Sequence, residues 1–349
     1  MDTLTHALSG ALLARATAPR RTGSDVLPLG RRIGLGFFAA AFPDIDIVAS
    51  FLSPLSYLYH HRGVTHSLLL LPLWTMLLAW GCSRVWRSGP GWRAYFGVFA
   101  WGLGIHIAGD WITSFGTMVF APFSDERYAL STTFIIDLWF TGIIVAGLVA
   151  AALWRRTRMP AVAGIALLCV YVGFQFVMHH EAVRFGEEYA QSRGYRDATV
   201  TATPRPVSPY NWMVMVGEGE QWHYAFVNLR RREPRPAGDG FFATLDKPYL
   251  PLASARWETV PKFGEPELGA LAREAYRQPQ FAFFRWFSEY PSLFRVDRAD
   301  HGVCVWFQDL RFHTPGRSSW PFRYGMCREG DLGWQPFQWL SDRDRMPVY

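Results

Sequence analysis

The chain has 349 residues, half of them hydrophobic, 16% aromatic and 18% charged, with 35 Lys and Arg against 29 Asp and Glu. A soluble chain of this length carries about a quarter charged residues, so the composition excludes disorder, coiled coil and collagen and points to a membrane protein. The net charge of +6 is unevenly placed, since residues 1–179 hold 13 bases and 8 acids while residues 180–349 hold 22 and 21. The positive excess belongs to the apolar half, where loop arginines orient membrane segments, and no nucleic-acid partner is expected.

In chain order, residues 4–18 form a short apolar run with Asp2 ahead of it and Arg15 inside it, which does not read as a signal peptide. Residues 33–52 follow, carrying Asp44 and Asp46, then 67–82, then 95–112 with His106 and Asp110 near its end. Residues 134–154 (21 residues, Asp137 at the start) and 161–178 (18 residues, no charge) are each long enough to cross about 30 Å of hydrocarbon. The pattern predicts an α-helical multi-pass membrane domain of five to six transmembrane helices over residues 1–180.

Arg15, Arg20, Arg21, Arg31 and Arg32 lie between the first two runs, Arg84, Arg87 and Arg93 between the third and fourth, and Arg155, Arg156 and Arg158 between the last two. The positive-inside rule makes these loops cytoplasmic. The N-terminus, the 53–65 and 113–133 loops and everything after Met178 then face the periplasm of a bacterial inner membrane. Residues 181–349 read as a periplasmic soluble domain, α+β or mostly β. Residues 181–193 suggest a separate amphipathic helix, 199–201 and 212–216 strands, 217–219 a turn and 222–229 a hairpin partner. Residues 234–238 suggest a loop, 266–288 a helix and 302–312 a strand. The aromatic residues of this half are expected to pack its core. Cys82 and Cys169 fall in membrane runs, whereas Cys304 and Cys327 share the oxidising side, where a disulfide between them is expected.

The scarce acids of the apolar half carry the functional signal. Asp2, Asp44, Asp46, Asp110 and Asp137 lie in or beside hydrophobic runs, where a charge costs about 2.5–3.5 kcal/mol and needs a partner. The histidines at hand are His6, His60, His61, His66 and His106. His106 and Asp110, four apart, share one helix face and are able to share a metal ion. A lone histidine on an apolar helix is more often a packing residue than a ligand. Here nine residues (His6, Asp44, Asp46, His60, His61, His66, His106, Asp110 and Asp137) fall on the outer side, as a metal site requires and a proton pathway through the bilayer does not. Mixed His and Asp donors suit Zn²⁺, with Mn²⁺ or Fe²⁺ as alternatives, and their number suggests more than one ion. Arg62 reads either as a clamp for a phosphate or carboxylate group or as the partner of Asp44 or Asp46, and Asp137 as a carboxylate orienting a ligand histidine.

Thr5–His6, the F-P-D-I-D of residues 42–46, the H-R-G-V-T-H-S of 61–67, the G-I-H-I-A-G-D of 104–110 and the A-P-F of 121–123 resemble the YdjM-like family of bacterial inner-membrane metal-dependent hydrolases over about residues 1–180. That family is in turn similar to zinc-dependent phospholipase C and the single-strand-specific fungal nucleases, whose ordered His, Asp, His and H-x-x-x-D ligands hold zinc. The resemblance maps that order onto His6, Asp44 or Asp46, His61 or His66, and His106 with Asp110. The later ligand pair has no clear counterpart, which leaves Asp137 as its substitute.

The expectation is a membrane-bound metal-dependent hydrolase acting at the periplasmic face on a phosphoester or lipid-type substrate reached from the bilayer. Asp46, Arg62 and Asp137 are its expected catalytic groups, and His6, Asp44, Asp46, His61, His66, His106 and Asp110 its metal ligands. The rival classes are an ion- or proton-coupled transporter using the same Asp and His, and a structural envelope factor with a non-catalytic metal.

Overall fold

The computed structural model describes residues 1–348 apart from 21, 22, 24, 87, 88, 237–239, 300, 301, 316–320, 331 and 343. Arg21, Arg87 and positions 237 and 238 of the expected loop lie outside the described residues. The chain divides into two compact units, Met1–Leu52 with Tyr59–Val177, and Ser53–Leu58 with Met178–Tyr349.

The N-terminal region is helical: α1 (Thr3–Ala16), α2 (Leu29–Ala41) running into a 3-10 segment (Phe42–Phe51), α3 (Pro54–His60), a 3-10 turn (Val64–His66), α4 (Leu71–Val85), α5 (Trp92–Trp111), α6 (Leu138–Leu153) and α7 (Met159–Arg193). Leu29–Phe51 and Met159–Arg193 are long and apolar enough to cross a membrane. Pro54–His66 with Leu71–Val85, bent by 78°, makes a third if the pair is one span. Among the described residues, two or three of the expected five to six spans thus stand by length and apolarity. The 4–18 run shortens to α1, whose 14 residues reach only about 21 Å. The 134–154 run shortens to the 16 residues of α6 because Asp137 caps the helix rather than joining it.

Small residues let the helices approach closely. A Cβ on Gly10 of α1 would strike the carbonyl of Gly36 and the methyl of Ala40 on α2, and one on Gly102 of α5 would strike Ala39. Such four-residue spacing of small side chains is how membrane bundles bring backbones together. Phe37, Phe38, Leu77, Trp80, Val149 and Val170 point outward, an apolar surface suited to hydrocarbon. At the end where α1 stops and α2 begins, the loop arginines gather. Arg32 Nε donates to Ala14 O (3.0 Å), and Arg15 Nη2 donates to Thr157 O (2.6 Å).

The C-terminal region is mixed α/β with two five-stranded sheets. Residues 181–193 are not a separate helix, since α7 runs unbroken through them. The first sheet is built from β1 (Thr199–Pro204), β2 (Asn211–Glu218) and β3 (Gln221–Asn228), with β4 (Leu250–Pro251) parallel to one end of β3 and β5 (Glu258–Pro261) antiparallel to the other. The β2–β3 hairpin turns at Gly219, whose φ of 58° suits glycine. Between β3 and β4 lies α8 (Phe241–Asp246). The expected 266–288 helix breaks into α9 (Pro266–Arg277), a 3-10 turn and α10 (Ala282–Phe287), because Pro279 pushes Gln278 into extended backbone. The second sheet is an antiparallel meander of β6 (Pro291–Ala299), β7 (Gly302–Asp309), β8 (Tyr324–Glu329), β9 (Gln335–Ser341) and β10 (Asp344–Pro347). The expected 302–312 strand ends at Asp309, whose side chain caps a 3-10 turn over Leu310–Phe312.

Cys304 and Cys327, directly opposite on β7 and β8, form a disulfide. The aromatic side chains are largely core: Tyr276, Phe281, Phe283, Phe284, Phe307 and Tyr324 pack ring against ring, Phe281 and Phe284 at 4.9 Å. His313 lies edge-on to Tyr224 and Phe226. Burial, followed by the Arg205 and Arg323 guanidiniums, pushes its imidazole down to about 3.

Candidate metal centre

Proline starts the site. Pro43 has no N–H to give, so the α-helical ladder of α2 ends there and the chain tightens into the 3-10 segment that carries Asp44 and Asp46. That switch leaves the last α2 carbonyls short of donors, and Ala40 O accepts from His106 Nδ1 at 2.6 Å. With Nδ1 holding the proton, His106 Nε2 presents a lone pair. His106 and Asp110 project from the same face of α5, and both are fully buried.

His66 arrives on the 3-10 turn after Gly63. A Cβ on Gly63 would come within 2.8 Å of His60 O, so the close turn needs glycine there. The left-handed residue is its neighbour Arg62, at φ 59°. Ser67 anchors the segment, donating to Ala121 O at 2.6 Å, which gives the A-P-F stretch a structural role. His66 Nδ1 lies 3.0 Å from Thr65 Oγ1 and 3.4 Å from Asp46 Oδ2, and the Thr65 hydroxyl itself donates to Asp46. His66 Nδ1 is therefore the donor, and Nε2 again presents a lone pair. A carboxylate behind a histidine in this way fixes the ring's tautomer and raises its basicity as a ligand.

Asp44, His66, His106 and Asp110 each offer one ligand atom, all within 4.8 Å of one another. The two Nε2 atoms are 2.9 Å apart. Asp110 Oδ2 lies 3.2 Å from His66 Nε2 and 3.5 Å from His106 Nε2, and Asp44 Oδ1 lies 3.8 Å and 3.6 Å from them. Asp110 Oδ2 is buried and accepts no hydrogen bond. With both Nδ1 atoms protonated, two imidazole lone pairs and two carboxylate oxygens converge on one small volume, an arrangement that a cation between them would stabilise. The separations scatter about the 3.3 Å, roughly, between ligands of a four-coordinate ion with 2 Å bonds. This buried group fits a divalent metal ion.

The remaining expected residues surround the four. Asp46 is half-buried and holds His61 Nδ1 (3.0 Å) and the Arg62 backbone N–H (2.9 Å). Arg62 pairs with neither Asp44 nor Asp46 through its side chain. Its guanidinium, 2% exposed, meets Asp110 Oδ1 at 2.9 Å and donates to Thr113 Oγ1 at 2.8 Å. His6 Nε2 also meets Asp110 Oδ1 at 3.0 Å, and its ring stacks on His106 at 3.8 Å, in space that Gly109 leaves open. The Met1 amino group contacts the same oxygen. His60 ends α3 and is exposed. Asp137 is not among the four: Oδ1 accepts from Trp139 N and Phe140 N at 2.9 Å, and Oδ2 accepts from Tyr171 Oη at 2.8 Å. Sequence reasoning did not find Thr3, which donates to Asp44 at 2.5 Å, nor Thr65, Thr113 and the Ala40 carbonyl. Thr65 sits inside the H-R-G-V-T-H-S motif and Thr113 one turn past Asp110, signals a search for ligand supports would use.

Residues 1–182 match the YdjM inner membrane protein family. The chain belongs to that family. As a YdjM family member it is an inner-membrane protein, and the match includes all four residues of the buried group. An uncharacterized protein of Bacillus subtilis (strain 168), YfhP, is 26% identical over 181 residues, 51% of this chain and 53% of that protein. The chain thus spans about half the length of the curated relative it matches. No solved structure matches.

Proposed function

We propose that this chain is a membrane-bound metal-dependent hydrolase, with a membrane-embedded domain over residues 1–180 and a periplasmic domain over 181–349. The observation that carries the reading is the convergence of one ligand atom from each of Asp44, His66, His106 and Asp110 within 4.8 Å of one another, with Asp110 Oδ2 accepting no hydrogen bond. These four residues would hold the ion, zinc by the mixture of imidazole and carboxylate. Such an ion lowers the pKa of water and offsets charge on a phosphoryl or carbonyl oxygen.

The chain's own groups have separable tasks. Asp46 keeps the proton on His66 Nδ1 and orients His61, which stands as the proton acceptor because a carboxylate holds its Nδ1 and part of it reaches the surface. Arg62 and His6 act as positioning residues, turning Asp110 so that Oδ2 faces the histidines. A substrate phosphoester or lipid headgroup at the periplasmic face is favoured because the site occupies the bundle end away from the gathered arginines. A membrane-spanning count of five to six is kept as part of this reading, with α1, α5 and α6 completing the bundle.

The test is a turnover screen on purified protein, with phospholipid vesicles, soluble phosphodiesters and acyl esters as substrates. Hydrolysis of one class that falls at least about a hundredfold in His61→Gln and Asp110→Asn supports the reading. No hydrolysis of any class by metal-loaded protein would leave only the structural or transport role.

A further inference from the structure

The strongest feature the proposed function does not use lies at the other end of the first unit. Where α1 ends, α2 begins and α6 passes to α7, there is a cavity of about 690 Å³. Arg15, Arg20, Arg32, Arg155, Arg156 and Arg158 line it, and among the described residues no Asp or Glu does. Three of these hold helix ends together. Arg15 Nη2 donates to Arg155 O and Thr157 O, Arg32 donates to Ala14 O, Thr17 O and Thr17 Oγ1, and Arg158 Nη1 donates to Ala18 O.

Those carbonyls accept hydrogen bonds but carry no formal charge. Each guanidinium has five N–H donors in a planar fork, so the carbonyls take only part of them. Among the described residues, none of the six makes an ion pair. Arg15 is 7% exposed, buried with its charge. Six like charges around one cavity repel each other at close range, and an anion inside it would relieve that repulsion while taking the unused donors.

We propose that this cavity binds a phosphate group, carried by the headgroup of an anionic phospholipid. Phosphate matches the guanidinium fork with two parallel hydrogen bonds, which a point charge such as chloride does not. The lipid is the favoured source because the cavity opens between the ends of apolar helices, Leu29–Phe51 and Met159–Arg193 among them, where basic pockets meet headgroups. Under the arginine-based orientation this is the cytoplasmic leaflet, so headgroup binding would tie α1, α2, α6 and α7 at the end remote from the metal group. The inference does not depend on the metal reading.

The experiment uses the full-length protein in detergent and follows thermal unfolding against added phosphatidylglycerol, phosphatidylcholine or inorganic phosphate. The variant is Arg20→Gln/Arg156→Gln, two exposed cavity arginines that hold no helix end, with Arg93→Gln outside the cavity as control. Stabilisation by phosphatidylglycerol and not by phosphatidylcholine is expected, with roughly tenfold or greater weakening in the double variant and little change in the control. If inorganic phosphate stabilises as well and the double variant loses that effect, the phosphate site stands and its source is soluble phosphate. Equal stabilisation by both lipids with none by phosphate, or equal weakening in Arg93→Gln, overturns the proposal.

Discussion

Replacing Gly10 by alanine tests how the helix seam positions the metal group. The added Cβ would overlap Gly36 O and the Ala40 methyl, contacts closer than atoms allow, so α1 and α2 must separate. Overpacking of this kind costs about 1–3 kcal/mol. The displacement also reaches the site from both sides. His6 is one turn before Gly10 on α1, and Ala40, whose carbonyl holds His106 Nδ1 at 2.6 Å, is the residue the new methyl meets. A control on the same helix pair is Gly34→Ala, where a Cβ has nothing within 4 Å and the only expected change is the helix-propensity gain of about 0.5–1 kcal/mol that alanine has over glycine. Unfolding midpoints in detergent and bound-metal content, measured on both variants, separate the two cases. Equal stability and equal metal content in Gly10→Ala and Gly34→Ala would refute the seam's role.

Arg62→Met leaves the buried Asp110 carboxylate without its guanidinium, so a loss of about 3–5 kcal/mol is expected in denaturant titration, more than for an exposed arginine such as Arg93. Asp137→Ala removes the α6 cap and should cost about 1 kcal/mol while bound metal is unchanged. Metal lost from that variant would make Asp137 a ligand after all. His313 is held near 3 when folded against an ordinary 6.5, so the unfolded chain binds the extra proton between those values. Stability of the C-terminal region therefore falls as pH drops from 6.5 towards 3, by on the order of 3 kcal/mol, and tryptophan fluorescence of His313→Gln should show a flatter pH dependence.

Much of the candidate site was legible because its spacing is local. The i, i+4 pair His106 and Asp110, the P-D-I-D carboxylates and the H-R-G-V-T-H turn each place donors by backbone geometry alone. Choosing between Asp44 and Asp46, or His61 and His66, was not possible, because that depends on a tertiary fact: the loop folds so that His66 and not His61 reaches α5, and Asp46 lies behind it. Arg62's true partner, Asp110, is 48 residues away and equally invisible. In the fold, hydropathy located the apolar runs but not where helices stop. Pro43 turns one run into a 3-10 segment, Asp137 shortens another, and α7 continues 15 residues past the last apolar position expected for it. The β2–β3 hairpin was readable from two apolar runs separated by a glycine-bearing turn, although the turn is Gly219–Glu220 and Gly217 and Glu218 still belong to β2, whereas the pairing of β3 with both β4 and β5 joins segments too distant for any local pattern.

Metal content of the purified protein tests the site most directly. Wild-type protein, freed of excess ion and analysed by plasma mass spectrometry, should retain about one or more divalent ions per chain. His66→Ala, His106→Ala and Asp110→Asn should each lose it, while Arg93→Gln keeps it. Wild-type protein that takes up no ion when zinc, manganese or iron is supplied, or ligand variants that retain it fully, would contradict a metal centre at Asp44, His66, His106 and Asp110.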